Sequence, residues 1–383
     1  MQFDFATAGR IVFASGALSR APNIVREFGA RALVITGRNR TRAAPLIEAL
    51  ERAGCKTSLF AINGEPTLET VREGAQVARQ DCELVLGFGG GSAMDAAKAI
   101  AALARNSGEP LDYLELIGQG KPLEHAPLPV IAIPTTAGTG AEVTRNAVLG
   151  SPEHRMKASL RSPLMFPRAA IIDPELTLDL PENITASTGL DTLTQVIEPY
   201  VSNRANPMTD LFCREGLKRA SQALPQVFRN GRDRSARESM SFASLLSGLA
   251  LANAGLGVVH GFAAPLGGML EAPHGALCAA VLPYGMSMNI RALRERAPKS
   301  DALARYAEVA GILTGNAHAE PEDGAAWVGK LCKEMAIPPL HTYGLHSEQI
   351  PQLAEQALKA SSMKANPIPL TKEESTEIAR LAL

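Results

Sequence analysis

An α/β domain followed by an all-α domain is the architecture the sequence predicts, and three observations predict it. The chain is 383 residues long, enough for two domains with real cores. Its first half alternates short β-branched runs with helical stretches, the texture of βαβ units around a parallel sheet covered on both faces. After about Leu180 convincing strands disappear, and long patterns rich in Ala, Leu, Glu and Arg take over.

The elements follow in order. Residues 31–36 (RALVIT) read as a strand, 41–53 and 67–80 as helices, 83–87 (ELVLG) as a second strand and 92–105 (SAMDAAKAIAALAR) as a third helix. Further strands are expected at 129–133 and 169–172, and 185–200 (TASTGLDTLTQVIEPY) reads as the first helix of the second domain. The domain boundary falls between residues 173 and 181, dividing the chain into 1–179 and 180–383. No repeat at solenoid or propeller periods and no low-complexity tract interrupts this plan.

Composition excludes several function classes. Lys plus Arg number 38 against 39 Asp plus Glu, so no net field draws in nucleic acid or an anionic membrane. The segment MQFDFATAGRIVF has no basic region followed by an apolar core and a cleavage site, and no apolar run has transmembrane length. Five cysteines, scattered and without a CxxC pair, fit reduced thiols in a cytoplasm and exclude a structural zinc ribbon.

Two turns carry ligand chemistry. The run Gly87-Phe88-Gly89-Gly90-Gly91-Ser92 joins a strand to a helix. Its glycines let backbone approach a ligand closely, Ser92 is placed to cap the helix, and Asp95, three residues on, to complete a box-like N-terminus. Exposed amides and the helix dipole then face one anion, as in a pyrophosphate cradle. A tight glycine turn over a buried helix would use the same residues. The segment 134–144 (PTTAGTGAEVT) packs four hydroxyls and two glycines into eleven residues, donors suited to phosphate, ribose or carboxamide. After the strand 31–36 the chain continues Gly37-Arg38-Asn39-Arg40. No carboxylate is there to bind a ribose 2′-hydroxyl, which tilts the expectation toward NADP or dual use.

A third group suits a metal. Asp191 and Gln195 are four residues apart and share a helix face. His260 in GVVHGFAAPLGG and His274 in EAPHGALC add two imidazoles, and a carboxylate with two imidazoles can hold a catalytic divalent ion while leaving a position open for substrate.

In order and across nearly the whole chain, GGGSAMDAAKAIA, PTTAGTGAEVT, TGLDTLTQVIEPYVS and HGFAAPLG…PHG resemble the iron-containing, group III alcohol dehydrogenase family. The resemblance implies a dehydroquinate synthase-like fold: an N-terminal Rossmann-like parallel-sheet domain, a C-terminal helical metal and substrate domain, and a cleft holding nicotinamide beside a divalent metal. It implies cofactor contacts from Gly37, Arg38, Asn39, Gly89, Gly90, Gly91, Ser92, Asp95, Thr135, Thr136, Thr139, Val143 and Lys157, the last in RMKASL. Asp191, Gln195, His260 and His274 become the metal set, with Asp191, His260 and His274 also named as catalytic. The cofactors expected are NADP or NAD and a divalent metal (Fe, Zn or another) that is weakly held or absent.

Three departures qualify it. Gln195 stands where the family has a histidine, Ala264 where many relatives carry a further imidazole, and Asn366-Pro367-Ile368 replaces Asn-Pro-Arg. An amide is a poorer ligand than imidazole for iron or zinc. The expected reaction is metal-assisted hydride transfer between nicotinamide and a small alcohol, aldehyde or ketone, in a cytoplasmic homodimer or larger homo-oligomer built on N-terminal strand exchange. The alternatives are a maleylacetate reductase-like enzyme, a dehydroquinate synthase-like lyase, and a cofactor-binding protein that lost catalysis. The lyase needs a basic, phosphate-binding pocket, and no Lys/Arg cluster surrounds His260 or His274.

Overall fold

In the computed structural model, which describes residues 2–154 and 156–383, the β-branched runs become one six-stranded sheet. Its strands are β1 (Ile11–Phe13), β2 (Arg31–Thr36), β3 (Lys56–Ala61), β4 (Leu84–Gly89), β5 (Val130–Pro134) and, after the hairpin strands β6 (Asn146–Ser151) and β7 (Met156–Arg161), β8 (Ala169–Ile172). The order is β1-β8-β5-β4-β2-β3, and every pair is parallel. β2 lies between β3 and β4, so the strand order reverses there, and in open parallel sheets the carboxyl ends of the strands at such a point are where ligands bind.

Helices α1 (Ala21–Arg26), α2 (Ala44–Arg52), α3 (Leu68–Asp81), α4 (Gly91–Arg105) and α5 (Pro110–Tyr113) complete this part of the chain. Alternation along β2 explains why two layers are needed. Leu33 and Ile35 are buried with residues of α3 and α4, while Ala32 and Val34 are buried with residues of α1 and α2, so both pleat faces are apolar.

The second part is helical: α6 (Glu182–Val201), α7 (Pro207–Arg229), α8 (Arg234–Ala254), α9 (Val258–Met269), α10 (His274–Arg296), α11 (Asp301–Thr314), α12 (Pro321–Glu334), α13 (Ile350–Lys359) and α14 (Lys372–Ala382). The chain divides into two compact units, one of residues 6–136 and 140–178, the other of the residues up to Phe5, 137–139 and 179–383. Among the described residues no single helix is long and apolar enough to cross a membrane.

Small residues let the helices of the second unit close on α6. A Cβ on Gly189 would sit 2.2 Å from Leu224 Cδ1 on α7, and one on Gly216 of α7 would sit 2.7 Å from Val196 Cγ1. An equally tight approach, here against backbone, is at the start of α10, where a Cβ on Gly275 would lie 2.2 Å from the Ser187 carbonyl oxygen and 3.2 Å from Asp191 Cβ. Residues on every face of α6 are buried from Thr185 to Val201, Asp191, Gln195 and Glu198 among them, so its polar side chains must find partners inside the unit.

Four strands lay outside the expected set. β1 has only three residues, and β3 is an edge strand whose Lys56, Ser58 and Leu59 are exposed. β6 and β7 form a separate antiparallel hairpin. A correction concerns the helix after the glycine turn, because α4 begins at Gly91 and its N-cap is Gly90 rather than Ser92. Asp95 does not form a capping box. Its carboxylate accepts from the Val148 amide at 3.0 Å and pairs with buried Lys98 at 2.9 Å, since a buried ammonium requires an anion.

Candidate active site

The glycine turn sits at the reversal point of the sheet. A Cβ on Gly89 would come within 2.7 Å of Ala93 Cβ and 3.7 Å of the Gly37 nitrogen, and one on Gly90 would come within 3.4 Å of the Thr136 side chain. Gly37, Gly89, Gly90 and Thr136 thus gather at one edge, with Gly91 and Ser92 in the first turn of α4. Gly90 has no side chain with which to cap that helix, so the positive end of the α4 dipole is left for an anion. Thr135 lies beneath, buried, its amide donating to the Gly89 carbonyl at 2.8 Å.

The remaining cofactor candidates are placed less uniformly. Arg38 and Asn39 are exposed, and Asn39 Oδ1 accepts from the Thr41 amide, capping the short turn before α2. Thr139 belongs with the helical unit, whose Thr192 hydroxyl donates to the Gly138 carbonyl at 3.1 Å. Val143 is fully buried with its amide on the Gly140 carbonyl, and Lys157 pairs with Glu65 at 3.1 Å. Asp95, Val143 and Lys157 are therefore engaged within the protein.

In the helical unit three elements bring four donor atoms together. Asp191 comes from the middle of α6, His260 from the first turn of α9, and His274 from the start of α10, one turn before Cys278. Their donor atoms all lie within 4.8 Å of one another. His260 Nε2 and His274 Nε2 are 3.4 and 3.9 Å from Asp191 Oδ1. Cys278 Sγ is 3.6 Å from His274 Nε2 and 3.9 Å from His260 Nε2. Asp191, His260 and Cys278 are buried, and His274 is half-buried.

Gln195 is next to this group but faces Asp191. Its Nε2 donates to Asp191 Oδ2 at 2.8 Å, and its Oε1 accepts from the Ser247 hydroxyl at 3.2 Å, so both ends of the amide are in use. Asp191 Oδ1, by contrast, has no hydrogen-bond donor among the described residues.

Glu198, seven residues after Asp191, holds the first imidazole. Its Oε2 accepts from His260 Nδ1 at 2.7 Å, which turns Nε2 toward Asp191, and its Oε1 accepts from the Val259 amide at 2.6 Å. Asn366 completes the support, its Oδ1 accepting from the Val258 amide at 3.0 Å. The orphan amides of α9 are thus satisfied by side chains from distant elements rather than by a local cap. Asn366-Pro367-Ile368 keeps the residue that makes this contact.

The electrostatics are those of closely spaced groups of opposite charge. Burial opposes ionisation of Asp191, but the His260 contact, the nearby His274 and the Gln195 amide together hold its carboxyl below the usual range. Burial also works against both imidazolium forms, yet Cys278 and Asp191 outweigh it, raising His274 to about 9 and His260 well above its ordinary value. Against burial, the two imidazoles draw the Cys278 thiol down.

Glu198 and Cys278 escaped the sequence reading, though both left a signal in it. Asp191, Gln195 and Glu198 fall at i, i+4 and i+7, and His274 and Cys278 at i and i+4, each set sharing one helix face. Asn366 was visible in the sequence as part of the altered Asn-Pro-Arg motif, but its contact was not, because the partner is 108 residues away.

A buried carboxylate oxygen without a donor, facing two imidazoles and a thiol, is a donor set that fits a divalent cation. Sequence and structure comparisons agree with that chemistry. Residues 8–174 match the family described as iron-containing alcohol dehydrogenase, and residues 185–383 match its C-terminal domain. The chain is 36% identical over 362 residues to alcohol dehydrogenase 4 of Saccharomyces cerevisiae, covering 94% of this chain and 90% of that protein. It superposes on a 1,3-propanediol oxidoreductase with a TM-score of 0.91, 31% identity and full coverage of both chains. Sulfoacetaldehyde reductase from Bifidobacterium kashiwanohense, solved with NAD+, gives a TM-score of 0.86 at 30% identity, covering 99% of this chain and 98% of that one. With both halves matched in order, the chain belongs to the iron-containing alcohol dehydrogenase family.

Proposed function

We propose that Asp191, His260 and His274 hold a divalent cation at which a small alcohol is oxidised, or its aldehyde or ketone reduced, by hydride exchange with a nicotinamide dinucleotide. Membership of the family makes the chain a nicotinamide-dependent oxidoreductase acting on CH–OH groups. The observation that carries the metal assignment is Asp191 Oδ1, buried with no hydrogen bond among the described residues and facing two imidazole Nε2 atoms at 3.4 and 3.9 Å.

When bound, the ion supplies Lewis acidity toward the alcohol or carbonyl oxygen, and the nicotinamide accepts or donates the hydride. The protein's own part is positioning. Glu198 fixes the His260 tautomer so that Nε2 faces Asp191, and Gln195 occupies Asp191 Oδ2, leaving Oδ1 for the ion. His274 keeps the cluster in touch with solvent, its side chain 32% exposed. With Ala264, α9 offers no second imidazole at that position to take the alcohol proton, which would leave by way of solvent.

On the nucleotide side, Gly89, Gly90, Gly91 and Ser92 receive the pyrophosphate, Thr135, Thr136 and Thr139 supply hydroxyls, and Gly37, Arg38 and Asn39 meet the adenosine ribose. Without a carboxylate after β2, a 2′-phosphate meets Arg38 rather than an anion, and we assign use of NADP(H) as well as NAD(H). Residues 1–179 form the nucleotide-binding domain in this reading and 180–383 the metal and substrate domain. A cytoplasmic homodimer is the setting we assign, in keeping with five cysteines that are all free thiols.

A panel of small alcohols and aldehydes, assayed for net change in nicotinamide absorbance with each cofactor and with added Zn, Fe, Mn or Mg, tests the proposal. Turnover that depends on added metal is expected. Substrate consumed with no net NAD(P)H change, or tight nucleotide binding with no turnover under any metal, would overturn it.

A further inference from the structure

We infer that Cys278 is the fourth ligand of the metal site, taking the role that Gln195 does not fill, and that the chain therefore selects a borderline-soft divalent ion such as zinc or cobalt over iron. The inference rests on the reading of Asp191, His260 and His274 as metal ligands.

Geometry is the first argument. Zinc bonds of about 2.0–2.2 Å to nitrogen or oxygen and about 2.3 Å to sulfur, at tetrahedral angles, place N and O ligand atoms about 3.3 Å apart and N and S atoms about 3.6 Å apart. The observed separations are 3.4 and 3.9 Å from Asp191 Oδ1 to the two imidazoles, and 3.6 and 3.9 Å from Cys278 Sγ to the same two nitrogens. Both imidazoles thus contact the carboxylate and the thiol at nearly the spacing one shared ion imposes. Rotations of a few tenths of an ångström would close the remainder.

The second argument is the placement of the competing donor. The Gln195 Oε1 already accepts from the Ser247 hydroxyl, and its Nε2 bond to Asp191 Oδ2 aims the rest of the amide at the carboxylate. That arrangement makes Gln195 a positioning residue, one that presents Oδ1 to the ion. Cys278 is fully buried, and its Sγ is within contact of the two imidazole nitrogens. It rises from the same helix face as His274, one turn later, so the start of α10 delivers two ligands at once.

The third argument is the unpartnered oxygen. Asp191 is 1% exposed and its Oδ1 has no donor among the described residues, yet it points into the group that contains the thiol. A thiolate, two neutral imidazoles and one carboxylate together neutralise a divalent cation, and thiolate ligands favour zinc or cobalt over harder ions. Metal uptake releases to solvent the protons that these ligands carry in the metal-free protein.

Replacing the native metal with Co(II) tests this on the intact chain. With stoichiometric cobalt bound, the wild type is expected to show the near-ultraviolet charge-transfer absorption of a cobalt–thiolate bond. Cys278→Ser should lose that band, and its zinc affinity, measured by competition with a chromophoric chelator, should fall on the order of a hundredfold or more. Gln195→Ala should keep the band. Wild-type protein that binds one cobalt without the band overturns the role of Cys278 while leaving the three-residue site standing. Failure to bind any divalent metal overturns both. Because the decisive spectrum is that of the unaltered protein, a variant that fails to fold does not cloud the result.

Discussion

Glu198 never faces the ion in this reading, yet the geometry gives it control of the site. One carboxylate fastens both the His260 ring and the Val259 amide, so it sets the ring's tautomer, its orientation and the start of α9 together. Glu198→Gln keeps the volume and an acceptor for Val259 but replaces the anion opposite Nδ1. Metal affinity is expected to fall about 10- to 100-fold, the usual result of disturbing such a partner, with NAD(P)H affinity unchanged. Chelator competition and nucleotide fluorescence titration read the two quantities separately. Equal loss of both would show that the residue acts through general stability instead. The sequence showed His260 as a candidate ligand but not what aims it, because a carboxylate on a buried helix is written no differently from one on a solvated face.

At the level of elements, legibility followed the period of the apolar pattern. β2 and β8 fell on the predicted runs because both pleat faces are buried, and continuous β-branched runs are hard to mistake. β3 was invisible because exposed Lys56 and Ser58 break its pattern, the hairpin of β6 and β7 because polar residues interrupt its short apolar runs, and β1 because three residues make no period. The HG that follows Pro273 reads in sequence as a histidine with a flexible neighbour, whereas in the fold Gly275 is the point where α10 meets the α6 backbone. Gly275→Ala would push a methyl against the Ser187 carbonyl at 2.2 Å, an atom that cannot swing aside. The start of α10 must retreat from Asp191, at an expected cost of about 1–3 kcal/mol in stability. Metal affinity should drop as well, and denaturant titration beside a metal-binding isotherm measures both. The short helical turn ending the threonine segment offers another test. Glu142, buried there, has its carboxyl raised by desolvation to about 7 from an ordinary 4.5. Because the folded value is the higher, the fold favours the protonated form. Its stability is fully present below the unfolded value and is lost as pH rises through about 7. Glu142→Gln mimics that protonated form, so it should match the wild type in acid and exceed it at alkaline pH by on the order of 3 kcal/mol. Thermal melts across the range would show the curves diverging upward in pH, and curves that run parallel would refute the buried-carboxyl account.

Across the whole molecule the two chemistries belong to different units. The glycine turn to which we assign the nucleotide lies in the α/β unit, and Asp191, His260, His274 and Cys278 lie in the helical unit. Each is assembled from contacts internal to its own unit: Gly89 against Ala93 in one, Gly275 against Ser187 in the other. Perturbations confined to one should therefore leave the binding energetics of the other nearly intact, as they do for sites that share no partners. Stripping the metal with a strong chelator is expected to abolish turnover while NAD(P)H affinity changes by less than about twofold, and zinc or cobalt returned to the apoprotein should restore the rate. Gly89→Ala is the converse experiment. Its methyl would sit 2.7 Å from Ala93 Cβ, so nucleotide affinity should fall while metal stoichiometry and the cobalt spectrum hold. The pair is informative because a protein whose metal served only to hold the fold together would lose nucleotide binding on chelation. Retention of that binding, with turnover gone, assigns the ion to the reaction.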